Sequence, residues 1–184
     1  PPPPPTPPLS LHDALPIFVD LCSGGGGPWP SLLPHLQQPG TAVEQVALTD
    51  LYPNLPALRQ VQALDPSRFV IEEAPVDIMA VPRRLKGFRT QFNAFHHFKP
   101  EQARAILQDA VDCGEGIALF ELPERTLRGI VGMALSSPLA AYLGPVLQPS
   151  LSPARWLLTY SLPVLPTVFT IDGVVSGLRA YSPG

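Results

Sequence analysis

The stretch FVDLCSGGGGPW, Phe18 to Trp29, decides how this chain is read. Phe18-Val-Asp-Leu-Cys22 is a short apolar run of the length a buried parallel strand has, and Ser23-Gly-Gly-Gly-Gly27 follows it directly. A brief apolar run closed by glycines reads as a strand entering a tight turn, because glycine adopts left-handed backbone without steric penalty. A strand that feeds such a turn begins a βαβ unit whose loop lies beneath a nucleotide-like ligand.

Outward from that stretch, the pattern alternates. Trp29 to Gln38 has helical spacing at Leu32, Leu33 and Leu36, with Pro34 as an irregularity, and Val43 to Leu48 makes a second strand that exits at Thr49-Asp50. Pro53 to Leu64 reads as a second helix, Phe69-Val-Ile71 as a third strand, and Ala74-Pro-Val-Asp77 as its exit. Gly87 to Phe98, GFRTQFNAFHHF, suits a fourth strand that passes into a loop at Phe95, His96 and His97. The helix from Lys99-Pro100 has the clearest signature: Pro100 and Glu101 in the first turn, Ala103, Ile106, Leu107, Ala110 and Val111 on one face, Gly114 at the end. Gly116-Ile-Ala-Leu-Phe120 is a fifth strand with Glu121 to Arg125 as its polar exit. This order predicts an α/β, Rossmann-like domain over 18–125, mainly parallel, with flanking helices.

The remainder is unlike a soluble surface. Gly129 to Ala154 contains no charged residue, nor does Trp156 to Ile171 beyond Arg155. Residues 126–184 are therefore expected to form an apolar helical segment, with VVSGLRAYSPG near the end as a candidate start for further strands. Three readings stay open for 129–171: a helical insertion that covers an acceptor, a peripheral or re-entrant membrane contact, and true spanning segments, the last disfavoured by Pro138, Pro145, Pro149 and Pro153. At the other end, Pro1 to Pro8 is a proline block, and Leu9 to Ile17, LSLHDALPI, resembles one reading frame of a common sequencing adapter. Residues 1–17 are accordingly expected to be an artefactual or disordered leader, a polyproline II ligand being the functional alternative, and the domain to be cut short at both ends.

A net charge of -3 and only 15% charged residues give no basic surface for nucleic acid. The two cysteines, Cys22 and Cys113, have neither a disulfide framework nor zinc spacing, so a reducing cytoplasm and no metal are expected.

Residues that follow successive strands of a parallel sheet converge on one crevice, which here collects Asp20, Cys22, the glycines, Asp50, Asp77 and the Phe95 to His97 loop. With those exits in place, FVDLCSGGGGPW resembles motif I of class I S-adenosylmethionine-dependent methyltransferases, with Asp20 in the acid place, Gly24 and Gly26 in two glycine places, and Cys22 where the first glycine is usual. LTDLYPN and PVDIM are similar to the next two motifs. The resemblance implies that Asp50 accepts from both ribose hydroxyls, that Asp77 takes the adenine amino group, and that Ile78 packs on the ring. It implies S-adenosyl-L-methionine as cofactor and a small, hydrophobic or lipid-like methyl acceptor, in a cytoplasmic or membrane-associated protein.

Each residue has a plainer reading. The glycines make a flexible loop, Asp50 caps the helix near Pro53, Asp77 is a solvated turn residue, and Cys22 is a small buried side chain rather than a nucleophile. His96 and His97 are either a general base for the acceptor or loop hydrogen-bonders. Arg83, Arg84, Lys86 and Arg89 form a solvated basic face, or one that meets an anionic acceptor or lipid head group. A nicotinamide-dependent oxidoreductase shares the glycine loop, but G-x-G-x-x-G counted from Gly24 places Trp29 at the last glycine. A membrane-associated protein with a non-catalytic nucleotide fold is the third alternative.

Overall fold

The computed structural model describes residues 17–37, 43–147 and 153–181. The expected leader lies outside them except for Ile17, which is the first residue of the first strand and pairs with Gln45. Residues beyond Tyr181 also lie outside.

Strands and helices alternate as β1 (Ile17–Leu21), α1 (Trp29–Leu36), β2 (Gln45–Leu48), α2 (Leu55–Gln62), β3 (Phe69–Ile71), β4 (Phe88–Phe92), α3 (Pro100–Cys113) and β5 (Ile117–Phe120). The five strands form one parallel sheet in the order β3-β2-β1-β4-β5. Its register is set by Phe18 opposite Val46 on one side and Phe88 on the other. At β5, Arg89 N donates to Gly116 O at 2.8 Å and Asn93 N to Phe120 O at 2.8 Å. The chain winds outward from β1 to β3, returns to β4 beside β1, and winds outward again. Right-handed crossovers then put α1 and α2 on one face and α3 on the other, and leave a topological switch between β1 and β4. This is an α/β, Rossmann-like arrangement.

The core on the first face gathers Trp29, Val43, Val46, Leu48, Leu58, Val61 and Phe69. Helix α2 begins at Leu55 with Asn54 as its cap, the Asn54 side chain accepting from Ala57 N, so the plainer reading of Asp50 as that cap does not apply. On α3, Ala103, Ile106 and Ala110 are buried, but Leu107 and Val111 are exposed, Val111 at 70%. The buried arc is narrow because each of these two stands about 100° around the helix from the buried residue before it. Gly114, at φ +70°, closes the helix in the left-handed conformation that a side chain resists.

Of the expected solvated basic face, Arg83, Arg84 and Lys86 are exposed, whereas Arg89 is not part of it. Arg89, in β4, is only 1% exposed and pairs with Asp109 of α3 at 2.8 Å. Arg84 pairs with Glu72, Lys86 with Glu115 at 3.4 Å, and Arg83 donates to the Asp112 carbonyl at 3.0 Å. The period-2 alternation of a strand turns Arg89 inward, which a run of basic letters does not reveal.

The chain divides into two compact units, the first running to Phe92 and resuming over Gln102–Leu119, the second comprising Asn93–Glu101 and the residues from Phe120 onward. In the second, α4 (Leu127–Leu147) lies antiparallel to α6 (Val164–Arg179), with Gly173 against Ser137 and Gly177 against Ile130. Between them come the short α5 (Pro153–Trp156) and a π-turn over Leu157–Ser161. VVSGLRA is therefore helical up to Arg179 and starts no further strand, its small residues Ser176 and Gly177 being buried, with Gly177 against Ile130 of α4, rather than pairing along a sheet edge.

Asp109→Ala leaves the Arg89 guanidinium buried without its counter-ion, and we expect a loss of about 3 kcal/mol in urea unfolding. Arg59→Ala, which removes the exposed Arg59–Glu73 pair, should cost less than about 1 kcal/mol. Equal effects would show that the Arg89 pair adds nothing beyond a surface contact.

Candidate functional site

The crevice of the first unit is built from the ends of β1, β2 and β3. Asp20 lies near the end of β1 with 1% exposure. Its carboxylate accepts from the Ser23 hydroxyl at 2.7 Å and from the Thr90 hydroxyl of β4 at 2.9 Å. Its carbonyl accepts from Thr49 N at 2.9 Å and the Thr49 hydroxyl at 2.8 Å. One residue thus ties the glycine loop, the exit of β2 and the central strand β4 together. Burial raises the Asp20 carboxyl from the ordinary 3.8 to about 6, against the lowering effect of the Ser23 and Thr90 hydroxyls. Asp20 shapes the loop from beneath rather than facing the crevice.

Above it the backbone turns left-handed at Cys22 (φ +58°), Gly24 (+54°), Gly26 (+101°) and Gly27 (+53°). A Cβ added at Gly26 would strike the Val61 side chain of α2, whereas Gly24 and Gly27 face open space. The glycines therefore serve two ends: Gly26 lets α2 approach the loop, and Gly24 and Gly27 leave the upper side bare. Cys22 tolerates its strained backbone as a half-buried residue. Burial, with the charges of Asp50, Asp20 and Asp77 nearby, pushes its thiol up to about 11, which keeps it protonated and unreactive at neutral pH.

Asp50 and Asp77 are both half-buried. Asp50 accepts from Gly24 N at 2.8 Å through one oxygen and from Tyr52 N at 2.9 Å through the other. Each oxygen retains a lone pair for a further donor. Val76 N donates to the Asp50 carbonyl at 2.9 Å, which brings the third strand's exit beside the second's, and the Asp77 carboxylate accepts from Met79 N at 2.8 Å. Ile78 is buried next to it. The structure thus brings together Asp20, Cys22, Gly24, Gly26, Asp50, Asp77 and Ile78.

Phe95, His96 and His97 belong to the second unit, in a 3-10 turn. Phe95 N donates to Glu121 at 2.8 Å, His96 N to its other oxygen at 3.3 Å, and His96 Nδ1 also meets that oxygen. Glu121, at the exit of β5, so fixes the His96 ring through Nδ1. Phe95 stacks at 5.2 Å on Tyr181, whose hydroxyl donates to the Phe98 carbonyl. His97 is exposed; partial desolvation and the neighbouring His96 lower its pKa, while Asp172 and Glu121 act in the opposite sense. The same unit holds a groove of about 410 Å³ lined by Ala140, Ala141, Gly144, Arg155, Thr159 and Phe169, where the buried Thr159 hydroxyl has no partner among the described residues.

Three participants escape sequence reading. Thr90, Gln91 and Glu121 are ordinary polar letters, and only their strand positions give them roles. The Gln91 amide nitrogen lies 4.0 Å from Cys22 Sγ, and its buried carbonyl oxygen is an acceptor without a partner among the described residues. The one available signal was that R-T-Q interrupts the strand GFRTQF, since polar residues in a central strand of a parallel sheet need a purpose. No protein-family model matches the chain, and no curated protein or solved structure matches it either.

Because Asp20 holds its proton more tightly folded than unfolded, its contribution is fully present below pH ~4 and is lost as pH rises toward 6, a fall of roughly 3 kcal/mol. Thermal melts between pH 4 and 7 should show this decline in the native protein and not in Asp20→Asn. Parallel curves for the two would refute the burial of an ionisable carboxyl there.

Proposed function

We propose that the first unit binds S-adenosyl-L-methionine and that the protein transfers its methyl group to a small, predominantly apolar acceptor. The supporting observation is the charge and hydrogen-bond character of the crevice. Asp50 and Asp77, both half-buried and each with lone pairs to spare, stand beside the glycine loop, so the ligand side carries two carboxylates. Such a field favours a cationic ligand and disfavours a diphosphate.

The loop's donors point the same way. A dinucleotide's pyrophosphate needs free backbone N–H groups at the glycine turn. Here Gly24 N donates to Asp50 and Gly26 N to the Ser23 carbonyl at 2.7 Å, so both are already taken. What the crevice offers instead are acceptors: the remaining lone pairs of Asp50 for a ribose diol and the second oxygen of Asp77 for an amino group. Ile78 supplies an apolar surface beside Asp77.

When bound, S-adenosyl-L-methionine supplies a methyl group already activated by its sulfonium. The residues of this chain then have only to hold, orient and exclude water. Asp50 serves twice in this reading, fixing the Gly24 backbone and accepting from the ligand. Asp20 keeps the loop in place from below. Cys22, protonated, lines the crevice as a small neutral group and takes no covalent part.

Isothermal titration with S-adenosylhomocysteine should give micromolar binding, abolished in Asp50→Ala, which removes two ligand hydrogen bonds and the tie to Gly24 N, and weakened by about tenfold in Asp77→Ala, which removes one. NADH should release no heat. A folded protein that binds NADH in preference to S-adenosylhomocysteine, or binds neither, would refute the assignment.

A further inference from the structure

We infer that the helical hairpin of the second unit, α4 with the segment Pro153–Arg179, inserts into a lipid bilayer. The inference does not rest on the methyltransferase reading.

It begins with the distribution of side chains, which is inverted relative to a helix pair that folds in water. The contact between α4 and α6 is made of small residues. Gly173 and Gly177, spaced as G-x-x-x-G, face Ser137 and Ile130; a Cβ at Gly173 would collide with the Ser137 hydroxyl, and one at Gly177 would lie 3.1 Å from Ile130. The large apolar side chains point away instead. Leu135 is 70% exposed, Leu139 58%, and Val131, Val168, Phe169 and Ile171 are about half exposed. Water drives large apolar groups inward, whereas in hydrocarbon no such drive exists and close backbone approach through small residues holds helices together.

Length and charge agree. Helix α4 is the one helix among the described residues long and apolar enough to cross a membrane, with only 17% of its apolar window buried; it stays one helix through Pro138 and Pro145, against the expectation that they would break it, and its 21 residues extend about 32 Å, close to a hydrocarbon core of about 30 Å. Pro153–Ser161 and Val164–Arg179 pass the same test together across a 74° bend. Arg125, Arg128 and Arg179 lie where α4 begins and α6 ends, so the chain enters and leaves on one side. Asp172, at the middle of α6, is the exception: its exposed carboxylate lies level with Ser137 of α4 and acts on His97 of the 3-10 turn, so this polar turn is its neighbour.

The polar groups favour lipid over a protein partner. Thr167 and Thr170 turn their hydroxyls onto the carbonyls of Pro163 and Pro166, each at 2.7 Å, and the Tyr160 hydroxyl donates to the Tyr142 carbonyl. Hydrocarbon offers no donors or acceptors, and these three hydroxyls are satisfied within the unit; the Thr159 hydroxyl, without a partner among the described residues, is buried inside it rather than turned outward. At the bent end Trp156 stacks at 5.0 Å on Tyr160, which lies 6.1 Å from Tyr142, beside Arg155. Amphipathic rings with an arginine whose stem can reach outward make the chemistry of a membrane boundary.

The test is flotation of the full chain with phosphatidylcholine vesicles in high salt, with tryptophan emission followed in vesicles of brominated phosphatidylcholine. The protein should float, and the brominated lipid should quench Trp156, which is 47% exposed, while sparing Trp29 at 2%. Quenching should vanish in Trp156→Phe. Leu135→Asp/Leu139→Asp, at positions already exposed, should keep its circular dichroism and lose about tenfold or more in vesicle binding, because hydrocarbon does not solvate carboxylates. Failure of the native chain to float, equal flotation of the double variant, or a discrete lipid-free dimer that ignores vesicles would each overturn the inference. None of these outcomes bears on the S-adenosylhomocysteine titration, so the two readings fail separately.

Discussion

A carboxylate sealed from water at the end of the central strand is the constraint on which the first unit's crevice depends. Asp20 has no exposed surface to solvate it, so its oxygens must find partners, and the two hydroxyls it finds belong to the glycine loop and to β4. Satisfying that one group fixes where Ser23 lies, and the Ser23 hydroxyl in turn accepts from Thr49 N at 3.1 Å. The loop then sits at the height where Gly24 N reaches Asp50. A chain of single hydrogen bonds, each forced by the one before, carries order from the buried strand end to the rim of the crevice.

The same logic accounts for an unusual central strand. β4 carries Arg89, Thr90 and Gln91, all buried, where a parallel sheet ordinarily has aliphatic residues. Thr90 holds Asp20, Arg89 joins the sheet to α3 through Asp109, and Gln91 presents an open acceptor beside Cys22. Buried polar groups of this kind are costly when unsatisfied. Their concentration on the strand next to the topological switch ties the glycine loop and α3 to the sheet.

The second unit solves a different problem. Its two long helices have few charges and meet through glycine and serine, so close approach of backbones replaces an aliphatic seam. Glu121 shows a further use of local geometry there: its carboxylate collects two backbone N–H groups and the His96 ring, and so fixes the 3-10 turn that carries the histidines.

Much of the architecture was legible from local pattern. The strand and helix order, the glycine turn after Phe18-Val-Asp-Leu-Cys22, the proline start and glycine stop of α3, and the acids that follow β1, β2 and β3 all rest on periodicity and capping, which neighbouring residues encode among themselves. The places where sequence reading failed share a physical cause. Arg89 inside rather than solvated, Asn54 rather than Asp50 as the cap, Leu107 and Val111 outside, and VVSGLRA as helix all depend on what lies opposite in space. The sequence by itself determined which segments become strands, which become helices, and which acids end up at the strand exits. Only the tertiary structure decided the strand order, the bond from Asp20 to Thr90, the pairing of Glu121 with His96 and the small-residue face between α4 and α6, because these join residues distant along the chain whose meeting no local pattern specifies.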